Sequence, residues 1–251
     1  MVEKYYEGII EQVYGRIGGH AGNMTLARYS NDFSIEDLTI PQRVRDQKDV
    51  FVWSYEFDPS EMSGPYEPFL DLIFAMFEEQ GGQNFDEFLE ENDIYYLHRQ
   101  MLRSYRKGGF CQREEGLILG EIEYEQECMT EGILRMLLSL SENKPCLIIL
   151  NRIQLAAGTT LTLLDRLLEE EKAKNIGVVL GVNDLIHIPE HVLPVWDRLM
   201  ERLKDESQVF HIGTTDAVRK KQFSADIFKK EESLKKITNL VQLMDFSQAI
   251  Y

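Results

Sequence analysis

The sequence predicts an α/β protein: a three-layer sandwich with a mainly parallel, five-stranded sheet, followed by C-terminal helices. Short apolar runs such as Cys146–Leu150 are typical of strands that are buried on both faces of a parallel sheet. Long helical patterns separate these runs, and that alternation is the mark of βαβ units. The chain has 251 residues, of which 43% are hydrophobic, so it can bury a substantial core.

Four strands are indicated by apolar runs, and a fifth is open between strand and helix at Ile9–Ile17. The four runs are Asp49–Tyr55, Cys146–Leu150, Gly177–Val182 and Val209–Ile212. Helical spacing predicts helices over Tyr66–Glu79, Phe85–Arg106, Glu114–Leu140, Thr160–Ala173 and His191–Lys204.

The character of the chain changes after Gly213. Residues 1–213 are expected to form the α/β domain, and residues 214–251 a helical segment that begins a further helical domain. Charged helical patterns cover Ala225–Ile237 and Leu240–Ile250. The second pattern reaches Tyr251 without a capping or breaking residue, so we expect another helix to follow.

The composition argues against several classes of protein. A formal charge of −16 disfavours nucleic-acid binding, which needs a basic face to neutralise phosphates. No apolar run approaches the roughly 20 residues that cross a bilayer. The chain has three widely spaced cysteines without a C-x-x-C pair, which suits a reducing cytoplasm. We therefore expect a cytoplasmic protein that does not enter a membrane.

The residues after the Cys146–Leu150 strand are Asn151 and Arg152. In open α/β sheets, residues at this place point into the crevice where ligands bind. A P-loop ATPase carries an Asp for Mg²⁺ there, usually with a second acid that orients the attacking water. An amide is a poor ligand for Mg²⁺ and a guanidinium repels it. The sequence thus predicts a nucleotide-hydrolase framework without hydrolysis.

Three segments carry a resemblance to a known family. They are Val50–Tyr55 with the following Gly64–Ile73, the stretch 144–168, and Gly177–Asp184. Together they resemble the P-loop-NTPase-like nucleotide-binding domain of the STAND class of AAA-related ATPases, found in large bacterial signalling and transcription regulators. The resemblance implies that Asn151 and Arg152 replace the acids of the metal-binding strand, and that Asn183 stands at a sensor position.

An intact phosphate loop, G-x-x-x-x-G-K-[ST], is absent from the sequence. The nearest candidate runs from Gly18 through Gly22 to Thr25, with Arg28 close behind as a substitute cation. In that register Met24 replaces the lysine. A plain glycine-rich turn is the favoured interpretation of the segment, because such turns are common, and a degenerate phosphate loop is the alternative.

Together with these replacements, the resemblance implies a non-catalytic, ATPase-like module of a bacterial signalling protein that serves interdomain or protein interaction, or sensing. Its partners would be proteins or further domains of the same chain, with oligomerisation a further option. No cofactor is expected, because the candidate phosphate loop lacks its lysine. The lost ammonium–phosphate contact, at about 4 Å, would be worth about 4 kcal/mol at an effective dielectric of about 20. The alternative is a switch that binds ATP or ADP with little hydrolysis, through Gly18–Thr25 and Arg152.

Overall fold

Five parallel strands form the sheet, as the computed structural model of the chain shows. The structure describes residues 2–19, 23–30, 44, 49–60, 64–82, 84–107, 119–206 and 209–212. The strands are β1 (Met24–Tyr29), β2 (Phe51–Glu56), β3 (Cys146–Asn151), β4 (Ile176–Asn183) and β5 (Val209–Ile212), in the spatial order β2-β3-β4-β1-β5. The predicted α/β class is confirmed.

Helices surround the sheet. They are α1 (Val2–Tyr14), α2 (Glu67–Glu79), α3 (Phe85–Glu91), α4 (Tyr96–Arg106), α5 (Leu119–Asn143), α6 (Gly158–Glu169) and α7 (Leu193–Glu206). Short 3₁₀ turns lie at Ile153–Leu155, Ala173–Asn175 and Glu190–Val192. No helix in the described part of the chain combines the length and the apolar character needed to span a bilayer.

The three layers follow from the alternation of side chains along the strands. In β3, Ile148 and Leu150 point into the larger core, which is shared with α2, α5, α6 and α7, whereas Leu147 and Ile149 point into a smaller core beneath α1. Successive strand side chains face opposite sides of a sheet, so one fully apolar strand supplies both cores.

Two predicted elements are corrected. Ile9–Ile17 is not a strand, since α1 covers its first part, and the missing fifth strand is β1. The predicted helix Phe85–Arg106 is two helices, α3 and α4, because the chain leaves the helical conformation at Asp93, whose φ is 52°. Asn and Asp tolerate this left-handed conformation better than most residues, and they commonly end helices.

One compact unit, Met1–Ile212, contains all described residues. The predicted helices Ala225–Ile237 and Leu240–Ile250, and with them the segment 214–251, lie outside the described residues.

Candidate functional site: the carboxyl edge of the sheet

Polar residues end four neighbouring strands at one edge of the sheet. Strand β1 ends at Tyr29, β2 at Glu56, β3 at Asn151 and β4 at Asn183. Because all strands are parallel, these carboxyl ends lie along the same edge, where ligands of open α/β sheets bind. This edge is therefore the candidate site.

Asn151 is joined to Tyr29 across the intervening strand β4. The Tyr29 hydroxyl donates a hydrogen bond of 2.6 Å to Asn151 Oδ1. The bond passes over Gly181, where an added Cβ would collide with that same oxygen atom. Asn151 is fully buried. The residue that stands where the resemblance implies a metal-binding acid is thus a buried amide engaged by a phenol.

Helix α1 brings a second phenol to the same place. Tyr6 is fully buried, and a Cβ on Gly181 would lie 2.6 Å from its hydroxyl oxygen. Burial raises the pKa of Tyr6 well above its ordinary value, and the nearby Tyr29 and Glu56 raise it further. Burial also raises the pKa of Tyr29, although Arg152 and Asn151 lower it in part. Both phenols are neutral at physiological pH.

Arg152 is neutralised by a carboxylate from the neighbouring strand. Its Nη1 lies 3.0 Å from Glu56 Oε1, and both side chains are less than one-fifth exposed, at 16% and 17%. Arg152 adopts a left-handed conformation with a φ of 56°, which is uncommon outside glycine, and it leads directly into the 3₁₀ turn Ile153–Leu155. A partly buried ion pair of this kind is costly to break, because the remaining charge stays in a poorly solvated place.

Arg28 is paired in a similar manner. Its Nε and Nη2 both donate to Asp184 Oδ1, at 2.9 and 2.5 Å. Asp184 directly follows β4, so this pair links the ends of β1 and β4. The two arginines that the sequence offered as substitute cations, Arg28 and Arg152, therefore each have a carboxylate partner.

Asn183, the predicted sensor residue, accepts hydrogen bonds from Leu185 and Gln154. Its Oδ1 accepts a hydrogen bond of 2.9 Å from the Leu185 N–H, and its carbonyl oxygen accepts one of 2.7 Å from Gln154 Nε2. Gln154 is fully buried, and its Oε1 has no hydrogen-bond partner among the described residues. The same holds for Asn151 Nδ2. These two atoms are the remaining unsatisfied hydrogen-bonding groups of the amides at this edge.

Gly18 and Thr25 do not lie at this edge. Gly18 follows α1 and donates its N–H to the Lys174 carbonyl at 2.7 Å, just before β4 begins. Thr25 is the second residue of β1 and pairs with Val179. Gly22 lies outside the described residues.

The interpretation of Gly18–Thr25 as a phosphate loop is therefore corrected. A phosphate loop follows a strand and opens a helix, whereas this segment follows helix α1 and leads into strand β1. Its first glycine also lies at the amino edge, opposite the crevice. The sequence that does follow β1, residues 30–43, contains neither glycine nor lysine.

The chemistry of the described edge is limited. Within the described ranges, no group of three or more His, Cys, Asp or Glu residues is placed to hold a metal ion. Hard cations such as Mg²⁺ prefer carboxylate oxygens, and two described acids at this edge, Glu56 and Asp184, are paired with arginines.

Sequence reasoning missed Tyr6, Tyr29, Glu56 and Gly181. Tyr29 and Glu56 each end a strand, so a prediction of β1 and a β2 that ends one residue later would have indicated them. Gly181 interrupts an otherwise apolar strand, and glycine inside a strand often marks the close approach of another group. Tyr6 shares helical spacing with Ile9, Ile10 and Val13, but nothing in the sequence places it at this edge. No model of a known protein family matches the sequence, and no curated protein shows significant similarity to it.

Proposed function

We propose that this chain is a non-catalytic, ATPase-like module that serves protein or interdomain interaction, or sensing, in a bacterial signalling protein. The observation that carries the proposal is the hydrogen bond between Tyr29 and Asn151, together with the ion pairs Arg152–Glu56 and Arg28–Asp184. Groups that would have to bind a metal or a phosphate are engaged with one another.

The energetic argument concerns the cost of opening these contacts. A nucleotide would have to replace Glu56 as the partner of Arg152 and leave that carboxylate unpaired in a poorly solvated place. Removing one partner of a buried ion pair costs about 3–5 kcal/mol, and the partial exposure of this pair reduces the figure. Each 1.4 kcal/mol is about tenfold in affinity, so nucleotide binding at this edge is expected to be too weak for use.

Support for an interaction role comes from exposed aromatic side chains. Tyr95, Tyr96 and Tyr124 are 43%, 61% and 65% exposed. Tyrosine combines a large apolar ring with a hydrogen-bonding group, and it is enriched at protein interfaces. Cys128 and Cys146 are free thiols, which suits the cytoplasmic location that forms part of this proposal.

The test is a titration of the 251-residue chain with Mg-ATP and with Mg-ADP, by calorimetry and by thermal unfolding. We expect no binding heat and no change in Tm at millimolar nucleotide. A ligand present at about 100 times its Kd would add about 2.7 kcal/mol of stability and raise the Tm by several degrees. Such a rise, or steady release of phosphate, would overturn the proposal.

If nucleotide does raise the Tm, an Arg152→Ala variant locates the effect. Loss of the rise would place the nucleotide at the carboxyl edge and would favour the nucleotide-binding switch. An unchanged rise would place it elsewhere on the chain.

A further inference from the structure

A cleft of about 960 Å³ lies beside the carboxyl edge, on the face of the sheet away from α1. Its floor is helix α6, and its walls are the first half of α5 and the outer face of α7. The cleft is partly open to solvent and its lining residues come from three helices, so it offers an extended or helical segment a surface to lie against.

One wall of the cleft is acidic. Glu123, Glu127 and Glu131 are spaced by four along α5, so they form one stripe on the helix, and all three are exposed. Glu127 is paired with Arg166 of α6 at 3.0 Å. Among the described residues, Glu123 and Glu131 have no ion-pair partner.

The opposite wall carries arginines that are already neutralised. The Nε atoms of Arg198 and Arg202 each lie 2.8 Å from a carboxylate oxygen of Asp165, which is buried in the floor. Arg202 also pairs with Glu169. With Arg166 bound to Glu127, each arginine among the described residues that line the cleft has an acidic partner within it. The charge left unbalanced is therefore negative.

The end of the cleft nearest the sheet is apolar. Pro65, Leu155, Ala156, Pro189 and Val195 line it. Leu155 and Val195 are partly exposed while packing against the larger core. An apolar side chain that entered here would lose contact with water and contact a preformed apolar surface.

We propose that this cleft docks a basic amphipathic segment of a protein partner. Its lysine or arginine side chains would lie against Glu123 and Glu131, and an apolar side chain would occupy the end formed by Leu155 and Val195. The proposal rests on the interaction role proposed above and names the surface and the chemistry of the partner. Charge complementarity favours a basic occupant, since the glutamates of α5 would repel an acidic segment or a free anion.

The experiment uses a defined probe. It is a labelled helical peptide of about 14 residues, roughly 21 Å long, with leucine on one face and lysine on the other. A second peptide carries glutamate in place of every lysine. Fluorescence anisotropy with the full chain is expected to show binding of the lysine peptide, weakened at high salt, and no binding of the glutamate peptide.

Two kinds of variant separate docking in the cleft from general attraction to an acidic protein. Glu123→Lys with Glu131→Lys should weaken binding at least tenfold. The matched control, Glu11→Lys with Glu142→Lys, makes the same change in net charge at exposed positions off the cleft and should weaken binding no more than about twofold. Thr162→Trp leaves the charge unchanged and fills the floor of the cleft, so it should abolish binding.

Three results would overturn the proposal: no binding of the lysine peptide, equal loss in the two lysine double variants, or unchanged binding by Thr162→Trp with native circular dichroism. If Thr162→Trp does not fold, the two double variants decide the matter, since their substitutions lie on the surface. Failure of this proposal leaves the non-catalytic role standing. Nucleotide binding, measured separately, would overturn that role whatever the peptide does.

Discussion

Tyr29 and Asn151 are joined by a hydrogen bond of 2.6 Å, although they lie 122 positions apart in the sequence. Strand β4 lies between β1 and β3, the strands that carry the two residues. The bond exists because β4 has a glycine at the crossing point. It fixes the ends of β1 and β3 to each other, and it engages the side chain that stands where the resemblance implies a metal ligand.

Replacing Gly181 with alanine tests the crossing. The new Cβ would lie 2.6 Å from the Tyr6 hydroxyl oxygen and 3.3 Å from Asn151 Cα. Overpacking of this kind typically lowers the free energy of unfolding by about 1–3 kcal/mol, measured by urea denaturation. Gly158→Ala is the matched control, because its Cβ would have Val192 at 3.9 Å as its nearest neighbour. Equal effects of the two substitutions would contradict the account.

Asn151→Asp restores the acid that the resemblance implies for this position. Burial raises the pKa of the new carboxyl group in the folded chain. The unfolded chain therefore loses this proton first, and the variant is destabilised as the pH rises above about 3.9, the pKa of an unperturbed Asp. We expect a loss of about 1–3 kcal/mol at pH 8 and a smaller loss at pH 5. Asn84→Asp, at an exposed helix cap, should be nearly neutral at both pH values.

The effect of Mg²⁺ shows whether the carboxylate introduced by Asn151→Asp is only a buried charge or forms a metal site. Millimolar Mg²⁺ should leave the Tm of the variant unchanged, since Glu56, the strand neighbour of residue 151, is paired with Arg152, and the described residues hold no group of three side chains that could bind a metal ion. A rise in Tm with Mg²⁺ that the unmodified chain lacks would show a working site.

Asp165→Asn should destabilise the chain through the packing of α6 against α7. The carboxylate is 5% exposed and binds Arg198 and Arg202, whose side chains are 51% and 31% exposed. Because both arginines can turn towards water, the expected loss is about 1–3 kcal/mol rather than the larger cost of a fully buried pair. Asp86→Asn breaks the exposed pair with Arg103 and should cost less than about 1 kcal/mol. A smaller effect at Asp165 than at Asp86 would refute this ranking.

The buried thiol of Cys146 makes stability fall at alkaline pH. Burial raises its pKa from 9.0 to about 12, so between these values the unfolded chain releases a proton that the folded chain keeps. The free energy of unfolding therefore decreases as pH rises through this range. Between pH 8 and 10.5 the unmodified chain should lose about 2 kcal/mol more than Cys146→Ala, as urea denaturation at the two pH values would show. Parallel losses in the two proteins would exclude the thiol as the cause.

Much of the sheet could be predicted from the sequence because its strands are continuous apolar runs. Strands β3, β4 and β5 lie within one residue of their predicted bounds. Strand β1 was missed because Thr25 and Arg28 interrupt its apolar character, although Thr25 is buried in the structure. The first helix carried a usable signal, since Tyr6, Ile9, Ile10 and Val13 follow helical spacing along one buried face.

The candidate site could be predicted only in part. Asn151 and Arg152 were predicted as site residues because a residue at the carboxyl end of a buried parallel strand lies at the crevice, independently of the order of the other strands. Their partners Tyr29 and Glu56 depend on strand order and register, which local patterns do not encode. The phosphate-loop alternative for Gly18–Thr25 stayed open because β1 was not predicted: with β1 at Met24–Tyr29, the segment leads into a strand, whereas a phosphate loop follows one.

The absence of a side chain at position 181 has an evolutionary consequence. Tyr6, Tyr29 and Asn151 share the space that this absence leaves, so the merit of an acid at position 151 depends on what the other positions carry. Such interdependence makes the effects of substitutions at these positions non-additive, because each side chain limits the space and the hydrogen bonds that the others can use. A substitution at one of the four positions therefore changes which residues the other three can accept.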